Sequence, residues 1–320
     1  MIKRILAGIL VCIAATAAVA QSYPSRPIRL IVPYPPGALT DLLARAIGER
    51  LSVALRQAVV VENKPGAGTL VGAEFVAKSA PDGYTLLMAT STTLGMSPAM
   101  YKIPAINPVK DFAPVSQVGT VNFFLIGSPS FPAKNMRELI EVIRANPGKF
   151  NYASVGNGSA HHLFMEILKK ETGLDIQHIP YKGTLAALPD VMSGKVEVMF
   201  SDATAALPNI RAGKVLAYGT SAAKPTELIA SVPPIAETVA GYDWQAWQGL
   251  IAPAATPPEI VARLGAELQR IQSSSEFRDL LTKFGMEPSP PNTPEQFAQL
   301  VKTDAERWAK VVAASGARVD

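Results

Sequence analysis

Residues 28–41 read Ile-Arg-Leu-Ile-Val-Pro-Tyr-Pro-Pro-Gly-Ala-Leu-Thr-Asp. Ile28–Pro33 is a short, mostly apolar run, the pattern of a buried strand. Pro35-Pro36-Gly37 breaks it. A helix is expected next, because Leu39, Leu42, Leu43, Ala46, Ile47 and Leu51 recur at helical spacing. Thr40 and Asp41 lie where side-chain oxygens satisfy the free N–H groups of a helix start. Val59–Val61 is the next expected strand, Gly66-Ala67-Gly68 leads into a helix through Phe75 and Val76, and Asp82-Gly83 turns the chain into the strand Tyr84–Ala89. This β-α-β-α-β succession implies a parallel sheet with helices on its faces.

The pattern restarts after about residue 120. Phe123–Ile126 reads as a strand, and Met136–Ala145 as a helix closed by Asn146-Pro147-Gly148. Asn151–Ser154 is a strand followed by a Gly-rich turn and a helix from Ser159 to Thr172. Strands near Ile176–Ile179, Val196–Phe200 and Val215–Gly219 follow, with helices between them. Pro189 falls in one of these and should shorten or kink it. Residues 257–314 read as helical, with breaks at Gly285 and Pro288–Pro294. Two α/β lobes, each around an open, mostly parallel sheet, fit this better than one. Crossings near residues 121–125 and 244–250 put residues 21–122 and 248–320 in one lobe and 123–247 in the other.

The N-terminus is read separately. Lys3 and Arg4 precede the apolar stretch Ile5–Ala20, which ends Ala18-Val19-Ala20. A basic start, an apolar centre and a small-x-small end describe a secretory signal peptide over residues 1–20, cleaved after Ala20. Cys12, the one cysteine of the chain, lies inside it. The mature chain is then expected to have no disulfide, thiolate nucleophile or Cys-bound metal. Losing Lys3 and Arg4 takes the net charge from +4 to +2, too small and dispersed for a nucleic-acid surface. With 48% hydrophobic and 18% charged residues, the chain is no disordered protein. A monomer that is exported to a bacterial periplasm and not embedded in a membrane is expected.

Ligands of open parallel sheets bind at the carboxyl ends of the strands, against helix N-termini. Three segments take that place: Tyr34-Pro35-Pro36-Gly37-Ala38, Ser91-Thr92-Thr93 and Ser154-Val155-Gly156-Asn157-Gly158-Ser159. All are rich in hydroxyls, glycine and free N–H groups and poor in charge. A helix N-terminus holds an anion without Arg or Lys. Each segment alone is equally an ordinary capped turn. Together, in two lobes, they point to a cleft for a small anion.

These segments resemble the periplasmic solute-binding proteins of the tripartite tricarboxylate transporter family, the Bug/TctC type. The resemblance runs through Pro33–Asp41, Glu62-Asn63-Lys64-Pro65-Gly66-Ala67-Gly68, Pro81-Asp82-Gly83-Tyr84-Thr85-Leu86-Leu87, Asn151–Ser159, Pro180-Tyr181-Lys182-Gly183-Thr184 and Trp247-Gln248-Gly249-Leu250-Ile251-Ala252-Pro253. It implies a two-lobed Venus-flytrap protein, similar to type II periplasmic binding proteins. Such a protein captures a small organic acid (a carboxylate, dicarboxylate or amino acid) and delivers it to a membrane permease, without a cofactor. The residues expected to meet ligand are Tyr34, Gly37, Ala38, Thr40, Asp41, Ser91, Thr92, Ser154, Gly156, Asn157, Gly158, Ser159, His161, Lys182 and Asp202. Ala38 stands where the family usually has a second glycine.

Other readings compete at several positions. Adjacent helical residues such as His161 and His162 point about 100° apart and chelate a metal poorly, although one of them is expected to face the cleft. His178 reads as structural. Lys182 reads equally as a carboxylate partner or a solvated turn lysine. Asp202 reads as an N-cap, or as a cleft carboxylate that would select an ammonium-bearing ligand. Trp244 and Trp247 read as packing at the return crossing. Ser91, Ser159, His161, His162 and Asp202 supply the residue types of a hydrolase, but no G-x-S-x-G elbow is present. A ligand sensor on the same fold is the other alternative.

Overall fold

The computed structural model describes residues 23–101 and 106–315. The expected signal peptide and Cys12 lie outside the described residues. The chain begins with β1 (Ile28–Val32), α1 (Leu39–Leu55), β2 (Val59–Asn63), α2 (Leu70–Ala77) and β3 (Thr85–Thr90). A π-helical turn, Thr92–Met96, runs into α3 (Ser97–Met100). Next come β4 (Phe112–Val121), β5 (Phe123–Gly127), α4 (Met136–Arg144), β6 (Asn151–Ser154), α5 (Ala160–Thr172), β7 (Gln177–Pro180) and α6 (Thr184–Met192). β8 (Val198–Asp202), α7 (Ala203–Arg211), β9 (Leu216–Thr220), β10 (Ala246–Pro253), α8 (Pro258–Ser273), α9 (Ser275–Lys283), β11 (Met286–Pro288) and α10 (Pro294–Ser315) complete it.

The strands form two sheets, ordered β11-β4-β10-β3-β1-β2 and β7-β6-β8-β5-β9. The first three strands pair in parallel through β1, as the opening βαβ pattern requires. β10 is antiparallel to both β3 and β4, and β11 is antiparallel to β4. In the second sheet β6 is parallel to β7 and β8, while β5 is antiparallel to β8 and β9. Following these directions, β10 and β11 alone oppose the other strands of the first sheet, and β5 alone opposes the other strands of the second. Both sheets are therefore mixed, with most strands pointing one way.

Side-chain patterning explains the layers. Leu43, Ile47, Leu51 and Leu55 of α1 are buried in one cluster with Ile28 and Leu30 of β1. Leu163, Phe164 and Leu168 of α5 join Tyr152 and Phe200 from the second sheet in the same core. Pro189 is accommodated inside α6, where it leaves the carbonyl four residues back without a helical donor. That carbonyl belongs to Leu185, which is exposed, so water can serve it.

Asn122 alone separates β4 from β5, so one residue carries the chain from the first sheet to the second. Its side chain is fully buried. Its Nδ2 donates to Glu287 Oε1 at 2.6 Å, and its Oδ1 accepts from Gln245 Nε2 at 2.7 Å. Gln245 immediately precedes β10, the returning strand. Both passages between the sheets thus meet at one buried amide. A second contact between the halves is made where Thr204 Oγ1, on α7, donates to Phe284 O, just after α9, at 2.7 Å. Gly285 lies beside that bond with φ +69°, and a Cβ there would overlap Ala203.

Candidate functional site

The first segment is built around Asp41. Its carboxylate accepts from Gly37 N–H at 2.9 Å, from Arg45 Nε and Nη2 at 3.0 Å each, and from Asn63 Nδ2 at 2.8 Å. Asn63 Nδ2 also reaches Tyr34 O at 3.0 Å. Burial alone would raise Asp41, but Arg45, Gly37 N–H and Asn63 outweigh it and hold the carboxyl below its ordinary value. Asp41 therefore shapes the Pro35–Ala38 turn, with both carboxylate oxygens bonded within the chain. The helix N-cap is Ala38, which has no capping side chain, and Thr40 is buried. Gly37 adopts φ +81°, with open space where a Cβ would stand. Tyr34 hydroxyl meets Thr90 Oγ1 at 3.1 Å, which meets Thr93 Oγ1 at 3.1 Å.

Ser91 and Thr92 also have partners within the chain. Ser91 is fully enclosed, and its Oγ accepts Trp247 N–H at 2.8 Å. Thr92 is buried, with its hydroxyl on Met96 Sδ at 3.5 Å. The Ser91 hydroxyl holds the turn after β3 against β10, and the Thr92 hydroxyl bonds within the turn. That turn is π-helical, a form common at functional sites.

The segment after β6 is a bonded cradle. Ser154 Oγ accepts Gly156 N–H at 3.1 Å and lies 2.6 Å from His178 Nε2. Ser159 caps α5, accepting His162 N–H at 3.3 Å and donating to Gly156 O at 2.7 Å. Gly158 N–H donates to His162 Nδ1 at 3.2 Å. Asn157 is exposed. A Cβ on Gly158 would lie 3.0 Å from Met100 Sδ and 3.9 Å from Ser97 Oγ, so this turn abuts α3 from the other half of the molecule. Ser97 Oγ in turn donates to Gly68 O at 2.5 Å. Segments 66–69, 97–100 and 156–158 therefore converge. Ser154 and His178 form a serine–histidine contact behind the turn, with Ser154 fully buried.

The two histidines of α5 diverge. His162 turns inward to stack on His178. His161, on the first turn of α5, lies edge-on to Phe123 with ring centroids 5.0 Å apart, just past the Asn122 crossing. Its Nδ1 and Nε2 are both buried and without a hydrogen-bond partner. Burial pushes this imidazole down to about 4, against the pull of Asp202, so it is neutral near pH 7 with one donor and one acceptor. Asp202 Oδ2 is 4.0 Å from His161 Nε2, while Oδ1 caps α7 by accepting Ala205 N–H at 3.3 Å. Both readings of Asp202 thus have a geometric basis, one oxygen each. Lys182 is exposed and makes no ion pair among the described residues. Its neighbour Tyr181 is held to the cradle, donating its N–H to Ser154 O at 2.9 Å. Among the described residues no group of three or more His, Asp or Glu is placed to hold a metal.

The sequence profile described as "Tripartite tricarboxylate transporter family receptor" matches residues 43–317. The chain belongs to that family. Among relatives of this tripartite receptor, the protein BugT of Bordetella pertussis is 35% identical over 329 residues, covering 99% of this chain and 98% of that one. A structure of an R. palustris protein with adipate superposes with a TM-score of 0.87 at 32% identity, over 93% of this chain and all of that one. MatC from Rhodopseudomonas palustris with bound malate gives 0.83 at 33% identity, over 91% and 100%. The two-lobed α/β architecture of the receptor is that of periplasmic binding proteins. Its family is one of solute binding.

Sequence reasoning passed over several residues of this receptor. Arg45 lies four residues after Asp41, a readable helical pair. Asn63 was within a matched segment but had no assigned role. Thr90, Ser97 and Met100 carry no local signal, because only the folded chain brings them to the cradles.

Proposed function

We propose that the chain captures a small organic acid between residues 21–122 plus 248–320 and residues 123–247, and delivers it to the permease subunits of a tripartite tricarboxylate-type transporter. It does so as a monomer in the periplasm, after removal of residues 1–20, and without a catalytic step. The observation that carries this reading is His161. Its two ring nitrogens are buried and unpartnered at the N-terminus of α5, where the helix supplies partial positive charge. An unpaired buried polar group is costly, and a ligand oxygen would satisfy the ring's N–H. The acids carried by the two R. palustris proteins, adipate and malate, support the same ligand class here. Tyr34, Gly37 and Ala38 would face the acid from one side. Gly156, Asn157, Gly158, His161 and Asp202 would face it from the other, with Lys182 at the rim.

The experiment is a thermal-shift series with malate, succinate, adipate and aspartate, each mixture then assayed for the unchanged acid. Saturable stabilisation with full recovery of the acid is expected. Consumption of the acid would assign an enzyme, and no stabilisation by any of the four would remove the organic-acid reading.

A further inference from the structure

The chain has three histidines, and two of them form a stacked pair behind the cradle. His162 and His178 rings lie 4.1 Å apart between centroids and 16° from parallel, with Tyr152 against His178 at 4.9 Å. One ring nitrogen of each is spent on the turn after β6. His162 Nδ1 accepts Gly158 N–H at 3.2 Å, which places the neutral ring's proton on Nε2. His178 Nε2 meets Ser154 Oγ at 2.6 Å, and that oxygen accepts Gly156 N–H. Gly156 and Gly158 have φ +120° and +79°. Glycine populates many other conformations, so the shape is held by bonds, from His162 as well as from Ser154 and Ser159 within the turn.

We propose that His162, backed by the stacked ring of His178, is the positioning residue that sets the Ser154–Ser159 turn in its acid-receiving shape. The proposal rests on reading that turn as part of the ligand site. Protonated His162 would carry N–H at both nitrogens, and its Nδ1–H would confront Gly158 N–H. The groups around the pair are Glu166 and Lys169 from α5 and Tyr152 from β6. Glu166 is already engaged, accepting from Tyr152 hydroxyl at 2.6 Å and Lys169 Nζ at 2.7 Å. Burial lowers His162, opposed by Glu166 and reinforced by Lys169. Burial, then His162, pushes His178 down to about 4. Both rings therefore bind protons at lower pH in the folded chain than in the unfolded one. The bonds to the turn are intact at neutral pH and weaken on acidification, as the folded rings take up protons below the ordinary imidazole range.

Two readouts test this. Nuclear magnetic resonance on the wild-type chain would seek a coupling across the Gly158 N–H···Nδ1 His162 bond and slow exchange of that amide, whether or not any acid binds. Their absence would overturn the proposal. The second readout is malate affinity of His162→Asn and His162→Phe, with folding checked by circular dichroism. Asparagine keeps an acceptor near the Nδ1 position, whereas phenylalanine keeps the stacked ring and loses the acceptor. Phe is expected to weaken malate by about tenfold, the upper range for one hydrogen bond, and Asn by about threefold or less. As pH is lowered below the ordinary imidazole range the ratio of wild-type to Asn affinity should fall, with malate's own ionisation cancelling in the ratio. Equal losses in both variants, or none in Phe, would make His162 a packing residue only. If malate fails to bind the wild type, the ligand-class reading fails while the resonance measurement still decides the proposal.

Discussion

Asp202 stands with one carboxylate oxygen 4.0 Å from His161 Nε2 and the other on the first turn of α7, at Ala205 N–H. The oxygen near His161 places negative charge beside the buried, unpartnered imidazole. It would repel a purely anionic acid and pair with an ammonium group.

Replacing Asp202 with Asn separates these roles, because Asn caps a helix about as well as Asp. Calorimetry on Asp202→Asn is expected to show aspartate affinity falling about tenfold, a charge-assisted bond's worth. Succinate affinity should hold or rise, and the melting temperature should stay nearly unchanged. Unchanged affinities for both acids would leave Asp202 as a cap alone.

Much of this site was readable in the sequence because its parts are local. The turns after β1 and β6 are marked by glycines and hydroxyls that a short window shows, and α1 and α5 announce themselves by period. β4, β10 and β11 were not. β4 contains Pro114, Ser116, Gln117 and Gly119, so its alternation is broken, although it lies between β10 and β11. β10 is buried along its whole length and has no alternation at all. Ser91 and Asp41 looked like ligand groups because residue type shows an available oxygen. Only the fold shows the partners those oxygens have within the chain, Trp247 and Arg45 among them.

Charge at the rim should matter little. Lys182→Ala is expected to weaken the best-binding acid by no more than about threefold, as for other exposed pairs. Gly158→Val should abolish measurable binding, since Gly158 has φ +79° and a Cβ would press on Met100 Sδ at 3.0 Å. Gly37→Ala meets no neighbour and should cost only the strain of φ +81°, about 1–2 kcal/mol. Titration calorimetry ranks the three. A collapse of affinity in Lys182→Ala with the fold intact would contradict the helix-terminus account of anion binding.

Asp304 gives a pH signature. It lies on α10, and its Oδ2 accepts Trp247 Nε1 at 2.7 Å. Burial pushes its carboxyl up to about 6, against Trp247, Arg307, Trp308 and Ser91. The folded chain therefore holds this proton where the unfolded chain has lost it. Its contribution is greatest below about pH 4 and is lost as pH rises through about 6. At about 1.4 kcal/mol per pKa unit, the loss is up to about 3 kcal/mol. The histidines shift stability the opposite way over the same range, so the signature is the difference between Asp304→Asn and wild type. Denaturant unfolding should show Asn gaining on wild type between pH 4 and 7. A difference independent of pH would mean that Asp304 does not titrate in this range.

Closure around an acid is the centre of the account. A ligand gripped by both halves favours the closed state by its differential affinity for it. The direct measurement is small-angle X-ray scattering of the ligand-free chain, repeated at saturation with whichever of malate, succinate, adipate or aspartate stabilises it most. The account predicts a smaller radius of gyration on saturation. An unchanged radius while calorimetry shows the acid bound would contradict it.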